Sequence, residues 1–62
     1  MFAFNIYDCT GIEYVCLFKD GVHHVIMVQS ANDEGTEVFT GHYEACVKFV
    51  DDALIKAQES MF

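Results

Sequence analysis

The chain has 62 residues, of which 53% are hydrophobic and 15% aromatic, and this composition predicts one small globular domain spanning residues 1–62. Ten acidic residues against three basic ones give a formal net charge of -7, and all three bases are lysines. Nucleic acids and anionic lipid headgroups attract basic protein surfaces, so direct binding to nucleic acid or to a membrane is not expected. A charged partner would be a basic protein.

The three cysteines are Cys9, Cys16 and Cys46. Because three is an odd number, a closed disulfide framework is excluded, and reduced cysteines of a cytosolic protein are the simpler interpretation. The longest apolar runs are far shorter than the roughly 20 residues that span a bilayer. The first residues lack the basic segment of a secretory signal. We therefore expect a cytoplasmic location.

Alternating hydrophobic residues over positions 2–7 predict a half-buried first strand, and residues 8–11 supply a turn. Two further runs, residues 12–19 and 22–29, are separated by Asp20-Gly21. This dipeptide is a strong hairpin signal, because a type I′ turn needs positive φ at both central residues.

A fourth, edge strand is predicted over Glu37–Phe39, and a helix is predicted from about His42 to Ser60, with Thr40 as its N-cap. The apolar side of this helix has residues at spacings of three and four, namely Tyr43, Cys46, Val47, Val50, Leu54, Ala57 and Met61. The predicted fold is therefore α+β, an antiparallel meander of three or four strands with one C-terminal helix packed on one face.

Both faces of the predicted sheet are apolar, but one helix can cover only one of them. We expect the helix on the aliphatic face, which has Phe2, Phe4, Ile6, Val15, Leu17, Val22, Ile26 and Val28. The uncovered face would then have Asn5, Tyr7, Ile12, Tyr14, Cys16, Phe18, His23, Val25, Met27 and Gln29. A slip of one residue in the turn after Tyr7 would exchange the faces of the first strand.

Aromatic and Met side chains with a few polar groups are typical of protein interfaces, so the uncovered face is the predicted docking site. Its predicted contact residues are Tyr7, Tyr14, Phe18, His23 and Met27. Electrostatic steering is assigned to Asp33, Glu34, Glu37, Glu44, Asp51 and Asp52. Ile55 lies at the centre of the acidic outer side of the helix, which is either an ordinary solvated face or a second contact surface.

No sequence motif indicates catalysis, and no enzyme activity or cofactor is expected. Adjacent residues in a strand point to opposite faces, so His23 and His24 cannot act on one substrate. The residues Cys16, His23, His42 and Cys46 offer the ligand types of a zinc site, but they lack the tight spacing of structural zinc sites, so no metal is predicted.

Residues 39–46, with the pattern F-x-G-x-Y-E-x-C, resemble a strand-to-helix junction found in small proteins of phages and mobile elements. Together with the short length, the acidity and the meander-plus-helix layout, the chain is similar in type to phage-encoded anti-defence proteins, including anti-CRISPRs. The resemblance implies a non-enzymatic inhibitor in the host cytoplasm that occupies a basic, nucleic-acid-binding or recruitment surface of an immune effector. It assigns no site residue.

The leading hypothesis is therefore a small acidic protein that inhibits a basic host protein by binding to it. The alternative, from a different class, is a structural or regulatory homodimer in which two sheets pair face to face.

Overall fold

The computed structural model describes residues 2–60, without the side chain of Phe2. Its elements are the strands β1 (Phe2–Tyr7), β2 (Glu13–Lys19), β3 (Val22–Val28) and β4 (Thr36–Gly41) and the helix α1 (Tyr43–Glu59). The strands form one antiparallel sheet in the order β1-β2-β3-β4. The predicted α+β meander with a C-terminal helix is confirmed, while Met61 lies outside the described residues.

The β2–β3 hairpin is built as its turn residues predict. Asp20 and Gly21 have φ values of 56° and 82°, the left-handed conformations that a type I′ turn needs. Lys19 pairs with Val22 directly across this turn. The pairing fixes which side chains share a face, because successive residues of a strand alternate between the two sides.

The β1–β2 connection is organised by the side chain of Asp8. Its Oδ1 accepts hydrogen bonds from the Thr10 hydroxyl at 2.6 Å, the Thr10 N–H at 2.8 Å and the Ile12 N–H at 3.0 Å. The Asp8 N–H donates to the Ile12 carbonyl at 2.9 Å, which closes the connection. This loop therefore runs through Ile12 and is one residue longer than the predicted turn.

The extra residue exchanges the two faces of β1 relative to the prediction. Tyr7 lies opposite Glu13, Ile6 opposite Tyr14, and Phe4 opposite Cys16. The prediction that Phe4 and Ile6 share a face with the aliphatic residues of β2 is therefore wrong. A one-residue change in loop length has this effect because the side-chain period of a strand is two.

The β4–α1 junction differs from the prediction in two details. The pairing of β3 with β4 is irregular at Val38, so that both Val38 and Phe39 pack against the core. Thr40, the predicted N-cap, lies within β4, and His42 occupies the N-cap position without a side-chain hydrogen bond.

The helix covers the sheet face opposite to the one predicted. The core contains Tyr14, Cys16, Val25, Cys46 and Val50, and the first three belong to the face that was expected to stay uncovered. The small side chains of Cys16, Val25 and Cys46 allow the helix to approach the sheet closely. Phe39 stacks on the helical Phe49 with ring centroids 5.0 Å apart. The assignment of the aliphatic face to the helix is therefore wrong.

The helix does not lie centrally over the sheet. It packs mainly over β3 and β4, and it meets β1 at the edge-to-face contact of Tyr43 with Phe4, whose ring centroids are 6.0 Å apart. A groove of about 240 Å³ remains between α1 and β1, lined by Phe4, Asn5, Ile6, Tyr43, Val47, Val50 and Asp51.

Ionisation of Asp8 should stabilise the fold in a defined pH range. Burial raises the pKa of Asp8, but hydrogen bonds from Thr10, Ile12 and Gly11 outweigh it and hold the pKa below the usual 3.8. A depressed folded-state pKa gives stability that is present above pH 3.8 and is lost as the pH falls through the lower folded value. We expect Asp8→Asn to lower the free energy of unfolding by about 1 kcal/mol at neutral pH, measured by urea denaturation.

The difference between the wild type and Asp8→Asn should shrink in acid, as the wild-type carboxyl protonates. Asp51→Asn is the matched control, since Asp51 is exposed on the helix and its replacement should leave the stability nearly unchanged. Parallel pH curves for the wild type and Asp8→Asn would contradict the proposed role of the charge.

Gly35 permits a close approach between the β3–β4 loop and the sheet. A Cβ atom there would lie 2.6 Å from Ile26 Cγ2, and the φ of Gly35 is 96°. Gly11 has a similar φ of 93° but nothing within 4 Å of its Cβ position. A substitution of Gly11 therefore measures the cost of the backbone conformation without a steric clash. We expect Gly11→Ala to cost about 1–2 kcal/mol of unfolding free energy. Gly35→Ala should cost roughly 1–3 kcal/mol more, and equal losses in urea denaturation would contradict the steric role of Gly35.

Candidate binding surface

The sheet face without the helix is the main candidate surface, and we call it the open face. Strand pairing places on it Asn5, Tyr7, Glu13, Val15, Leu17, Lys19, Val22, His24, Ile26, Val28 and Glu37. It contains parts of all four strands, with apolar residues on the two central strands and most polar residues along the margins.

The centre of the open face is aliphatic. Val15 lies opposite Ile26, and Leu17 and Val28 continue the same rows of β2 and β3. These four side chains are only half-buried, and Val22 at the hairpin end is 40% exposed. A contiguous apolar patch bounded by polar groups is typical of a protein interaction site.

Two carboxylates lie beside the aliphatic centre, and each is held by a neighbouring side chain. At the loop end of β2, the Asn5 amide donates a hydrogen bond to Glu13, which lies opposite Val28. On the β4 side, Glu37 contacts the Nδ1 atom of His24, whose Nε2 lies 3.2 Å from the Lys19 carbonyl oxygen. The carboxylates are thus oriented beside the apolar residues.

Two depressions extend the open face toward its ends. The one at the hairpin end has a volume of about 230 Å³ and is lined by Leu17, Lys19, Asp20, His24, Ile26 and Glu37. The one at the loop end has a volume of about 470 Å³ and is lined by Tyr7, Gly11, Glu13, Val28, Ser30, Ala31 and Asp33. The surface therefore has relief that a partner's side chains could fill.

Asp33 adds a fixed negative charge at the loop end. Its carboxylate accepts the N–H of Gln29 and the N–H of Gly35, each at 2.9 Å. These hydrogen bonds lower the pKa of Asp33, so the carboxylate stays ionised well below neutral pH. The charge is positioned by the backbone of the β3–β4 loop.

The predicted contact residues lie on both sides of the sheet, some on the open face and some on the face that the helix covers. Tyr7 is on the open face and is 61% exposed. Tyr14 is only 7% exposed and Met27 packs against the core, so neither side chain presents a free docking surface. The prediction that Tyr14, Phe18, His23 and Met27 form an uncovered face is wrong, because the helix packs on that side of the sheet.

Phe18 and His23 belong to a row of aromatic rings on the helix side. The ring centroids of Phe18 and His23 are 4.8 Å apart, those of His23 and Tyr43 are 5.4 Å apart, and those of Tyr43 and Phe4 are 6.0 Å apart. Phe18 is 38% exposed and Tyr43 is 47% exposed. The row links β1, β2, β3 and the start of α1.

The predicted steering residues lie on different parts of the molecule. Glu37 is on the open face, and Asp33 and Glu34 are in the adjoining β3–β4 loop. The remaining predicted residues are exposed on the helix, namely Glu44, Asp51, Asp52 and Ile55. Because the helix and the open face are on opposite sides of the sheet, one flat partner surface cannot contact both sets.

The sequence contains a signal that identifies the open face. Along β2, the residues Glu13, Val15, Leu17 and Lys19 share one side, so this aliphatic row begins and ends with a charge. The alternate row of β2, Tyr14, Cys16 and Phe18, has no charged member. Charged side chains are rarely fully buried, so the row with charged ends is the one exposed to solvent.

The His, Cys and acidic side chains do not form a metal-binding cluster in the part of the chain that the structure describes. In residues 2–60, no group of three or more His, Cys, Asp or Glu side chains is placed to hold a metal ion. Burial, together with the neighbouring Cys46 thiol, raises the pKa of Cys16 to about 11. This thiol is therefore neutral at physiological pH and a poor nucleophile.

Within residues 2–60, no helix is long and apolar enough to cross a membrane. Comparison with known proteins finds no family model, no curated protein and no solved structure that matches the chain.

Proposed function

We propose that this protein is a non-enzymatic binding protein that docks its open face on a basic surface of another protein. The observation that carries the proposal is the half-buried aliphatic centre formed by Val15, Leu17, Ile26 and Val28 beside neighbouring carboxylates. Covering apolar surface supplies affinity, while the surrounding charges select the partner and raise the rate of association.

The charge distribution favours a basic partner. Glu13 lies at the loop end of the aliphatic centre, Glu37 lies beside it on β4, and Asp33 is also near the loop end. Lys19 is the one lysine among the open-face residues, and the whole chain has a formal net charge of -7. An Arg- or Lys-rich rim around an apolar contact would complement this pattern, since Arg pairs well with carboxylates.

The acidic outer side of the helix is a weaker candidate for the primary contact. Asp52 there is paired with Lys48, with 3.3 Å between Oδ2 and Nζ. Ile55, at 52% exposure, is its bulky aliphatic residue. The open face offers four neighbouring aliphatic side chains, so we assign the primary contact to the open face and long-range steering to the helix.

The resemblance to phage anti-defence proteins specifies the class of partner further. Immune effectors that hold nucleic acid do so with basic channels, because phosphate groups are neutralised by Lys and Arg. An acidic protein with an apolar contact surface can occupy such a channel or a recruitment surface. We therefore extend the proposal to inhibition of a nucleic-acid-binding effector in the host cytoplasm, testable by loss of nucleic-acid binding when the protein is added.

The alternative function is a homodimer whose two open faces pair with each other. Such pairing would bury the same aliphatic residues, but it would also bring two chains of net charge -7 together. Salt weakens the repulsion between two like-charged chains and should therefore strengthen the homodimer. Salt also weakens the attraction between opposite charges and should therefore weaken the complex with a basic partner. The two functions therefore have opposite salt dependence.

A pair of lysine substitutions tests the docking site. We expect Leu17→Lys to weaken binding of the partner about tenfold or more, because it places a charge in the apolar centre and repels a basic surface. Ile55→Lys is the matched control, since it makes the same charge change on the helix and should leave the affinity within about twofold.

The partner would be captured from a bacterial lysate with the tagged wild-type chain, identified by mass spectrometry and then titrated by calorimetry. Circular dichroism would establish that both variants are folded. Equal affinity for the wild type and Leu17→Lys would contradict docking through the open face, and loss confined to Ile55→Lys would move the site to the helix.

Salt should weaken the complex with the basic partner. Raising the salt concentration from about 50 to 500 mM shortens the screening length and should reduce the association rate, measured by stopped-flow or surface plasmon resonance. Glu13→Gln and Glu37→Gln should reduce the same rate in low salt and make it less sensitive to salt. An association that is unchanged or strengthened by salt would contradict the proposed steering.

A further inference from the structure

The two edges of the sheet are protected to different degrees. Exposed edge strands are prone to pair with other chains, and proteins usually protect them with charges, bulges or covering segments. β4 has all three forms of protection, since it contains Glu37, is irregular at Val38 and lies under α1. β1 has no charged residue, and the helix packs mainly over β3 and β4, meeting β1 through the contact of Tyr43 with Phe4.

Within residues 2–60, β1 has one neighbouring strand, β2, and its other edge faces outward. The side chains of Ala3, Asn5, Ile6 and Tyr7 are exposed. The register with β2 shifts between Phe2 and Phe4, so residues 4–7 form the regular part of the strand. This segment can accept another strand without disturbing the existing sheet.

The β1–β2 connection determines which residues of β1 direct their backbone N–H and C=O groups outward. The Asp8 N–H bonds to the Ile12 carbonyl, and inward and outward groups alternate along an antiparallel strand. The backbone groups of Phe4 and Ile6 therefore face β2, and those of Asn5 and Tyr7 face outward. Two outward residues separated by one position match the hydrogen-bonding pattern of an antiparallel partner.

We propose that a second copy of this chain pairs with the outer edge of β1, through a two-fold axis at Ile6. Asn5 of one copy then exchanges backbone hydrogen bonds with Tyr7 of the other, and the two Ile6 residues lie directly opposite each other. The result is a continuous eight-stranded antiparallel sheet with both helices on one side and both open faces on the other.

A second copy fits this edge better than it fits the other surfaces of the protein. β1 is the edge strand without an acidic or lysine residue, so the paired strands of two chains of net charge -7 place no carboxylates opposite each other. The two helices, over β3 and β4 of each copy, would be about six strand spacings apart, which is roughly 29 Å at about 4.8 Å per strand. This separation exceeds the screening length of about 10 Å at 0.1 M salt.

The groove between β1 and α1 adds apolar contact beside the new pairing. Its apolar side chains include Phe4, Ile6, Tyr43 and Val47, of which Ile6 is 38% exposed, and Asp51 of the helix contributes a carboxylate to its lining. In the dimer the two grooves meet at the axis, where each Ile6 can cover part of the groove of the other copy. The pairing uses backbone groups of β1 and the Ile6 side chain on the helix side, whereas docking is assigned to the aliphatic centre on β2 and β3, so dimerisation and partner binding can be tested with different variants.

The first test is the mass of the full-length chain in solution, measured by sedimentation and light scattering over a range of concentrations. We expect a dimer for the wild type and a dissociation constant raised about tenfold or more in Ile6→Lys, because two like charges would face each other at the axis. Ile55→Lys is the matched control and should remain as dimeric as the wild type.

Two further measurements avoid dependence on one variant. In the wild type, hydrogen exchange should show protected amides at Asn5 and Tyr7 that lose protection on dilution. In a Cys9→Ser background, Ile6→Cys should form an intermolecular disulfide when the thiol oxidant diamide removes two protons and two electrons from the facing thiols, because facing Cα atoms would lie about 4.5 Å apart. Ile55→Cys in the same background should crosslink far less.

A monomer at all concentrations would overturn the proposal, as would unprotected amides at Asn5 and Tyr7. A dimer that survives Ile6→Lys but dissociates in Leu17→Lys would instead place the contact on the open face. A dimer that dissociates in Ile6→Lys while Leu17→Lys alone loses partner binding would support the edge pairing and the docking function separately.

Discussion

The helix and the sheet meet through side chains that are small. Cys16 of β2, Val25 of β3 and Cys46 of α1 are all fully buried, and the Cys46 thiol lies 3.8 Å from the His23 carbonyl oxygen. Close packing at this point lets a 17-residue helix cover half of a four-stranded sheet. A single helix cannot also cover the opposite face of the sheet, so the aliphatic rows of β2 and β3 on the open face stay accessible.

The uneven position of the helix has a second consequence. Because α1 lies over β3 and β4, protection of the sheet is concentrated at the β4 edge, and β1 retains outward backbone groups and apolar side chains. The open face and the β1 edge are thus both products of a small domain with one covering element. If two copies join at β1, their open faces become one larger surface, and a partner with two contact sites would bind it with higher avidity.

Local sequence patterns predicted the strands and the helix correctly, but they did not predict which face of the sheet the helix covers. Asp20-Gly21 defines its turn through backbone conformation, and the apolar spacing from Tyr43 to Leu54 defines a helix, so both follow from nearby residues. The faces of β1 depend on whether its loop closes at Gly11 or Ile12. The Asp8 carboxylate decides this through the Thr10 and Ile12 N–H groups. The predicted contact residues Tyr14 and Met27 were misplaced through the helix position alone.

The sequence by itself determined the class of fold, the β2–β3 register, the net charge of -7, and the excess of apolar sheet surface over what one helix can cover. These properties depend on composition and on residues close together in the chain. The tertiary structure alone decided which face is covered, how β1 is turned, and which edge is left bare. Those outcomes depend on how the chain leaves β4 at Gly41 and on whether side chains distant in sequence, such as Cys16 and Cys46, can pack together.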